Sequence, residues 1–366
     1  MASSTPVLCI QSVEASKDHA YDISSIKSFV ESNGLSTIPS NYHSLIDPLD
    51  REVADELGAF IPVIDFSFLT SDDPQFHGKG VQELGRACEE WGLFMVKNHG
   101  IQESLIEDVM KMSYKFHDMP VEEKSEFADK GVSTPIRCGT SFSPKVESVH
   151  YWRDYLKVMT HPEFNFPHKP AGYKELAFEY SRKTRAVVRK LLEGIAESLG
   201  LQPNAIIEST GFDSGLQIFA VNLYPPCPQP DLALGMPPHS DHGLLTLLTQ
   251  NGIGGLQVNH KGKWVNVNPL PHTLIVNTGD QLEVVSNGRY RSVLHRAMLN
   301  NKDTRISLVT VNGPAFEKVI GPAPELLEKE EPFFRSMNYK EYFEIQQKTS
   351  FADKSGMNQI RINAQN

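Results

Sequence analysis

The segment His239-Ser-Asp241-His-Gly-Leu-Leu-Thr-Leu-Leu248 sets two ligand-forming side chains at the head of an apolar, β-like run. Residues two apart on a strand project to the same side, so His239 and Asp241 can offer an imidazole and a carboxylate to one ion. His295, far downstream in another β-like run, is the candidate third donor. Two imidazoles and one carboxylate on one face of an octahedron leave three positions open, a set suited to iron(II) when two further reactants must bind beside each other. The pair by itself is a weak signal, and a distal histidine adds little. The order of features around it carries the weight.

Outward from this segment, short β-like runs recur at regular spacing: Leu216 to Leu223, Gly243 to Gln250, Leu256 to Val258, Trp264 to Val267, Thr273 to Asn277, Val293 to Leu299 and Arg305 to Asn312. Glycine and proline separate them, which predicts a sandwich or jelly-roll in place of βαβ units. Upstream, Ile61 to Phe66 and Leu93 to Val96 read as strands. Gly78 to Trp91, Glu103 to Met119 and Tyr173 to Leu199 have helical period, the last with Leu176, Val187, Leu191, Leu192 and Ile195 on one face. Residues 129–170 read as long loops or short strands, and Glu325 to Gln347 as a helix closing one end of the sheet. The expected organisation is an N-terminal extension (1–60), a helix and strand region (61–200), a β catalytic core (201–322) and a C-terminal helix with tail (323–366).

Of the 366 residues, 40% are hydrophobic and 22% charged, the balance of a folded globular protein. A formal charge of −10 argues against a nucleic-acid partner, which needs a basic face. Cys9, Cys88, Cys138 and Cys227 form no CxxC pair, so no zinc knuckle or dithiol motif is expected. No apolar run approaches the length of a membrane span, and the N-terminus lacks the pattern of a signal peptide. A cytoplasmic location, with the nucleus also open, and a monomer are the expectations. His242 is read as a core or supporting residue facing away from Asp241, His99 and His260 as structural, and Gly252 to Gly255 as a hairpin turn.

With IPVIDF from Ile61, WGLFMVKNHGI from Trp91, MPVEEK from Met119, YWRDYL from Tyr151, Asn222-Leu-Tyr-Pro-Pro-Cys-Pro228, the His239 segment, Asn277-Thr-Gly-Asp280, Leu294-His-Arg296 and Arg305-Ile-Ser307 in this order, the sequence resembles the plant 2-oxoglutarate/iron(II)-dependent dioxygenases of specialised metabolism. The resemblance spans Ile61 to Tyr342. It implies a mixed α/β fold with an all-β core, a distorted double-stranded β-helix (jelly-roll) flanked by helices. It also implies that His239, Asp241 and His295 hold Fe(II). Arg305 would bind the 5-carboxylate of the co-substrate 2-oxoglutarate, helped by Ser307 and the Tyr224 hydroxyl, with Asn222 alongside. A guanidinium fork suits that carboxylate as lysine does not.

The implied reaction hydroxylates, O-demethylates or desaturates a small, largely apolar metabolite with O2, releasing succinate and CO2, with ascorbate as reductant in vitro. By position relative to the motifs, Cys138, Phe142, Ala220, Val311 and Gly313 are expected to line the acceptor pocket, which would hold a bulky acceptor by shape and by contact with Phe142 and without a salt bridge. Three rivals stay open at this point: an iron oxidase of the same fold that does not use 2-oxoglutarate, a zinc hydrolase, and a non-catalytic small-molecule binder.

Overall fold

A computed structural model describes residues 24–44, 53–128, 131, 134–141, 149–348 and 355–362. Its centre is a pair of facing sheets. The strands are β1 (Val63–Asp65), β2 (Leu93–Lys97), β3 (Ile136–Thr140), β4 (Asp154–His161), β5 (Gln217–Tyr224), β6 (Met236–His239), β7 (Leu245–Gln250), β8 (Leu256–His260), β9 (Lys263–Asn266), β10 (Leu274–Thr278), β11 (His295–Ala297) and β12 (Arg305–Asn312). The large sheet runs β1-β2-β10-β7-β12-β5-β4-β3 and the small one β6-β11-β8-β9, the jelly-roll expected.

Alternation along β12 explains the layering. Ile306 and Leu308 point outward into the main core, while Arg305, Ser307, Val309 and Val311 line a cavity on the inner face. The outer face is covered by the helices Pro74–Glu90, Glu103–Asp118 and Tyr173–Ser198, whose Val187, Leu191, Leu192 and Ile195 are buried. Burying such apolar side chains contributes roughly 1.5–3 kcal/mol each relative to leaving them in water. Leu248, Ile275 and Met95 on the inner face pack with Leu256, Val258 and Val265 of the small sheet. That dry cluster closes one end of the space between the sheets and leaves the other end open.

Four strands of the large sheet come from before residue 200, so the sheet crosses the boundary expected there. The helix Ile26–Asn33 docks on β4: Asp154, buried, accepts from Ser25 Oγ (2.8 Å) and from the Ile26 and Lys27 amides (2.7 and 3.0 Å). The two amides are free donors of the helix's first turn, which a carboxylate satisfies well. The segment Gly252 to Gly255 differs from expectation. It joins β7 in the large sheet to β8 in the small one, so it is a crossover and not a hairpin. The tail is also broken, into helices Pro324–Leu327 and Tyr339–Lys348. The second buries Tyr339, Tyr342 and Phe343 against the sheet.

Candidate active site

His239 ends β6 and His295 begins β11, and the two are direct register partners in the small sheet. Their rings lie 4.2 Å apart between centroids. Each is oriented by its own strand: His239 Nδ1 bonds the Pro237 carbonyl at 2.8 Å, and His295 Nδ1 the Val293 carbonyl at 3.3 Å. A carbonyl only accepts, so Nδ1 carries the proton and Nε2 presents its lone pair. Those Nε2 atoms are 3.8 and 3.9 Å from Asp241 Oδ1. The three donors lie within 4.8 Å of one another, the one such group among the described residues.

Asp241 reaches this point differently from the reading of its sequence. It follows β6 and is not on the strand; its backbone carbonyl accepts from the Asp280 amide at 2.8 Å, and its Oδ2 from Asn277 Nδ2 at 2.7 Å. Burial pushes the Asp241 carboxyl up, but the adjoining His295 and His239 outweigh it and hold it below the usual carboxylate range. Burial, and then His295 beside it, lower His239. The group therefore stays as one carboxylate and one neutral imidazole through the physiological range, the protonation a divalent cation requires. Because the turn frees His242 from strand alternation, that ring also lines the cavity, with Nδ1 2.9 Å from the Tyr339 hydroxyl. It is a cavity residue, not one facing away.

Arg305, 2% exposed and paired across the sheet with Tyr224, also lines the cavity. Its Nη2 donates to Gln250 Oε1 at 2.7 Å, and its guanidinium carbon lies 5.1 Å from the Tyr224 ring centroid. Its Nε is buried with no hydrogen-bond partner among the described residues. A buried guanidinium that keeps a donor in reserve is costly unless an anion completes it. Ser307 and Asn222 form the next row, directly opposite each other and both lining the cavity. Asn222 Oδ1 accepts from Arg153 Nη1 at 3.0 Å. The donor set and the incomplete cation fit a divalent metal and a dicarboxylate side by side.

Of the expected pocket residues, Ala220 and Val311 line the cavity. Cys138 does not. It pairs with Leu156 on the outward parity of β3, packs against the main core and lies 3.4 Å from the Lys124 carbonyl. Gly313 lies past the end of β12, and a Cβ there would run into the Tyr339 hydroxyl. Phe142 lies outside the described residues. Cavity residues that went unread include Arg137, Arg153, Lys157 and Gln346. For Arg137 and Lys157 a signal existed: each sits one residue from an outward apolar position on a strand. Reading 129–170 mainly as loop hid it. His99 and His260 have structural places, the first accepting from the Ile101 amide at 3.2 Å, the second stacked on Trp91 at 3.8 Å.

Two histidines and a carboxylate at the open end of a jelly-roll define the mononuclear non-haem oxygenase class. Sequence comparison narrows the class. The profile of the 2OG-Fe(II) oxygenase superfamily matches residues 215–314, and that of the non-haem dioxygenase in morphine synthesis N-terminal region matches residues 61–178. The chain is 44% identical over 304 residues to 2-oxoglutarate-dependent dioxygenase 19 of Oryza sativa subsp. japonica, covering 82% of this chain and 90% of that one. It is 40% identical over 316 residues to flavanone 3-dioxygenase 2 of the same plant, covering 84% and 89%. The crystal structure of JOX2 in complex with 2OG, Fe and JA superposes with a TM-score of 0.83 at 30% identity, covering 93% of this chain and 98% of that one. The chain belongs to the 2OG-Fe(II) oxygenase superfamily. It is an oxidoreductase that uses Fe(II), 2-oxoglutarate and O2 on a small metabolite. No described helix is long and apolar enough to cross a membrane.

Proposed function

We propose that His239, Asp241 and His295 hold the iron, and that Arg305, with Ser307 and the Tyr224 hydroxyl, binds the far carboxylate of 2-oxoglutarate beside Asn222. The observation that carries this reading is the pairing of a converged His-Asp-His group with a buried, incompletely bonded guanidinium in one cavity. When bound, the iron supplies the redox chemistry that couples O2 and 2-oxoglutarate to oxidation of an acceptor C–H bond. The protein supplies geometry. The His239 and His295 Nε2 atoms and the Asp241 carboxylate offer lone pairs, Asn277 fixes the carboxylate, and the Arg305 fork sets the direction from which the co-substrate enters. Leu248, Leu256 and Val309 make an apolar wall that keeps water from the reacting carbon.

The reaction is read as hydroxylation, the chemistry named for the Arabidopsis thaliana relative feruloyl CoA ortho-hydroxylase 1, which is 36% identical. The same oxidation at an O-methyl carbon would release the methyl group, and at a carbon beside a second abstractable hydrogen would give an alkene. Ala220, Val311, Ile218 and Val309 offer the acceptor an apolar surface. We further read the chain as a monomer, cytoplasmic with the nucleus also open, and, on its acidic charge, as one without a nucleic-acid partner. The test is to incubate the full chain with Fe(II), 2-oxoglutarate and plant metabolite pools, and to follow succinate and mass together. One succinate per oxygen gained supports the reading; product without succinate points to the oxidase of the same fold.

A further inference from the structure

The helix Tyr339–Lys348 turns one face to the protein. Tyr339, Tyr342 and Phe343 are buried on it, and Gln346 completes the same i, i+3, i+4, i+7 stripe. An amide thus stands where the helical period predicts a fourth apolar residue, and it lines the cavity. The strand registers show where this face lies. β10 and β12 both run antiparallel to β7, so both end at the same edge of the large sheet. Tyr342 and Gln346 bond to Asp280, just past β10, and Tyr339 packs on Gly313, just past β12. The helix therefore crosses that edge beside the row Asn277, Thr246, Val311 and Ile218, successive cross-strand partners that all line the cavity. Asn277 holds Asp241 at one end of the row, and the other end is apolar. The helix is also tied to the metal-ligand turn, through the Tyr339 hydroxyl to His242 and through Asp280, whose amide donates to the Asp241 carbonyl.

Two neighbours fix which way round the Gln346 amide sits. Asp280 Oδ2 accepts from the Tyr342 hydroxyl at 2.7 Å and from Gln346 Nε2 at 2.9 Å, and Nε2 donates also to the Tyr342 oxygen at 3.2 Å. A carboxylate only accepts, and a hydroxyl that donates to it keeps lone pairs, so both contacts demand the NH2 end of the amide. The reverse orientation would set an amide oxygen against a carboxylate. Asp280 and Tyr342, 0% and 1% exposed, stand behind the cavity wall, so the end turned away from them is Oε1. That oxygen has two lone pairs and can only accept. Val311, Ile218, Val309 and Ala220 beside it favour an uncharged donor over an ammonium, whose burial among them is costly.

We propose that Gln346 Oε1 selects the acceptor by taking a hydrogen bond from it: the acceptor carries an uncharged O–H or N–H group at this end and lays its apolar body over Val311, Ile218, Val309 and Ala220. Asp280 and Tyr342 are positioning residues, acting by holding the amide one way round. This rests on the reading of the metal and co-substrate sites given above. It adds one directed neutral contact to an otherwise apolar surface, with no salt bridge. Methylation of the donor would leave Oε1 without a hydrogen and press a methyl group against it, so the site separates an acceptor from its O- or N-methylated form.

The test uses the full chain loaded with Mn(II) and saturating 2-oxoglutarate, so that binding is read without turnover. 2-Naphthol, 4-phenylphenol and indole are titrated calorimetrically against 2-methoxynaphthalene, 4-methoxybiphenyl and 1-methylindole. In at least one pair the donor binds roughly tenfold or more tighter than its methylated form, the scale of a hydrogen bond plus the cost of leaving its partner unsatisfied. The phenol pairs and the indole pair distinguish O–H from N–H recognition. The preference collapses in Gln346→Met, which keeps the length of the side chain and loses the amide, while Mn(II) and 2-oxoglutarate still bind. It falls severalfold in Asp280→Asn, whose own amide tolerates either orientation of Gln346, with Mn(II) affinity held because the bond to Asp241 comes from the backbone. Gln346 is half-buried near the end of its helix, so Gln346→Met decides the matter should Asp280→Asn fold poorly. No preference in any pair, including no binding at all, overturns the proposal, as does a preference that survives Gln346→Met. Wild-type protein that takes up neither Mn(II) nor 2-oxoglutarate removes the underlying reading, an outcome separate from normal co-substrate binding without donor preference.

Discussion

Asn277 donates a hydrogen bond of 2.7 Å from its side-chain amide to Asp241 Oδ2, leaving Oδ1 turned toward both histidines. Asp241 sits in a turn, so no strand fixes its side chain and this contact does. Replacing Asn277 by alanine should weaken divalent-metal binding roughly 10- to 100-fold. Mn(II) or Co(II) titration checks this independently of activity; an unchanged affinity would mean that the backbone alone aims the carboxylate.

Arg305→Lys should raise the apparent KM for 2-oxoglutarate more than tenfold, a loss of about 1.5–3 kcal/mol for a charge-assisted bond. Tyr224→Phe keeps the ring under the guanidinium and removes only the hydroxyl, so it should do less. A lysine variant with wild-type KM would remove Arg305 as the anchor.

Ala220→Phe and Gly313→Phe should behave differently. Ala220 faces the cavity, so a phenyl ring there fills the acceptor space and should abolish product formation while 2-oxoglutarate binding persists. Gly313 faces Tyr339, 0% exposed, so any side chain there displaces a packed core residue and should lower the melting temperature as well. Equal melting temperatures with equal loss of product would place Gly313 in the cavity after all.

Much of this was legible in the sequence. The β-rich core is a local pattern that alternation and turn spacing announce, whereas the His-Asp-His group and the Arg305 motif were readable through the order of their motifs and the family resemblance that this order carries. What was not legible depends on register between distant segments. Lys157 reaches the cavity because β4 pairs with β5 so that Lys157 faces Ala220; Cys138 misses it because its neighbour Arg137 takes the inward parity. A shift of one residue would exchange them. His242 was read as facing away because alternation was applied to a segment that had already left the strand.

His117 gives a pH dependence apart from the catalytic residues. It is 4% exposed, and burial, with Lys124 and Lys27 nearby, lowers its pKa to about 3 from 6.5. The folded-state value lies below the unfolded one, so the unfolded chain takes up the proton first. Stability is therefore intact above pH 6.5 and declines as pH falls toward 3, with a limiting slope of about 1.4 kcal/mol per pH unit. His117→Leu should shrink the fall in melting temperature between pH 7 and pH 5; an equal fall in both proteins would show that His117 does not govern this limb.

The central claim is that His239, Asp241 and His295 form one iron site on which 2-oxoglutarate turnover depends. Anaerobic titration of Fe(II) into the full chain with 2-oxoglutarate, followed by admission of O2, tests it in a single preparation. The account predicts one tightly held iron per chain and succinate formation in the wild type. It predicts weakened iron binding and loss of succinate in His239→Ala, Asp241→Ala and His295→Ala, each with an unchanged circular dichroism spectrum. Wild-type iron affinity and succinate yield in any of the three would contradict it.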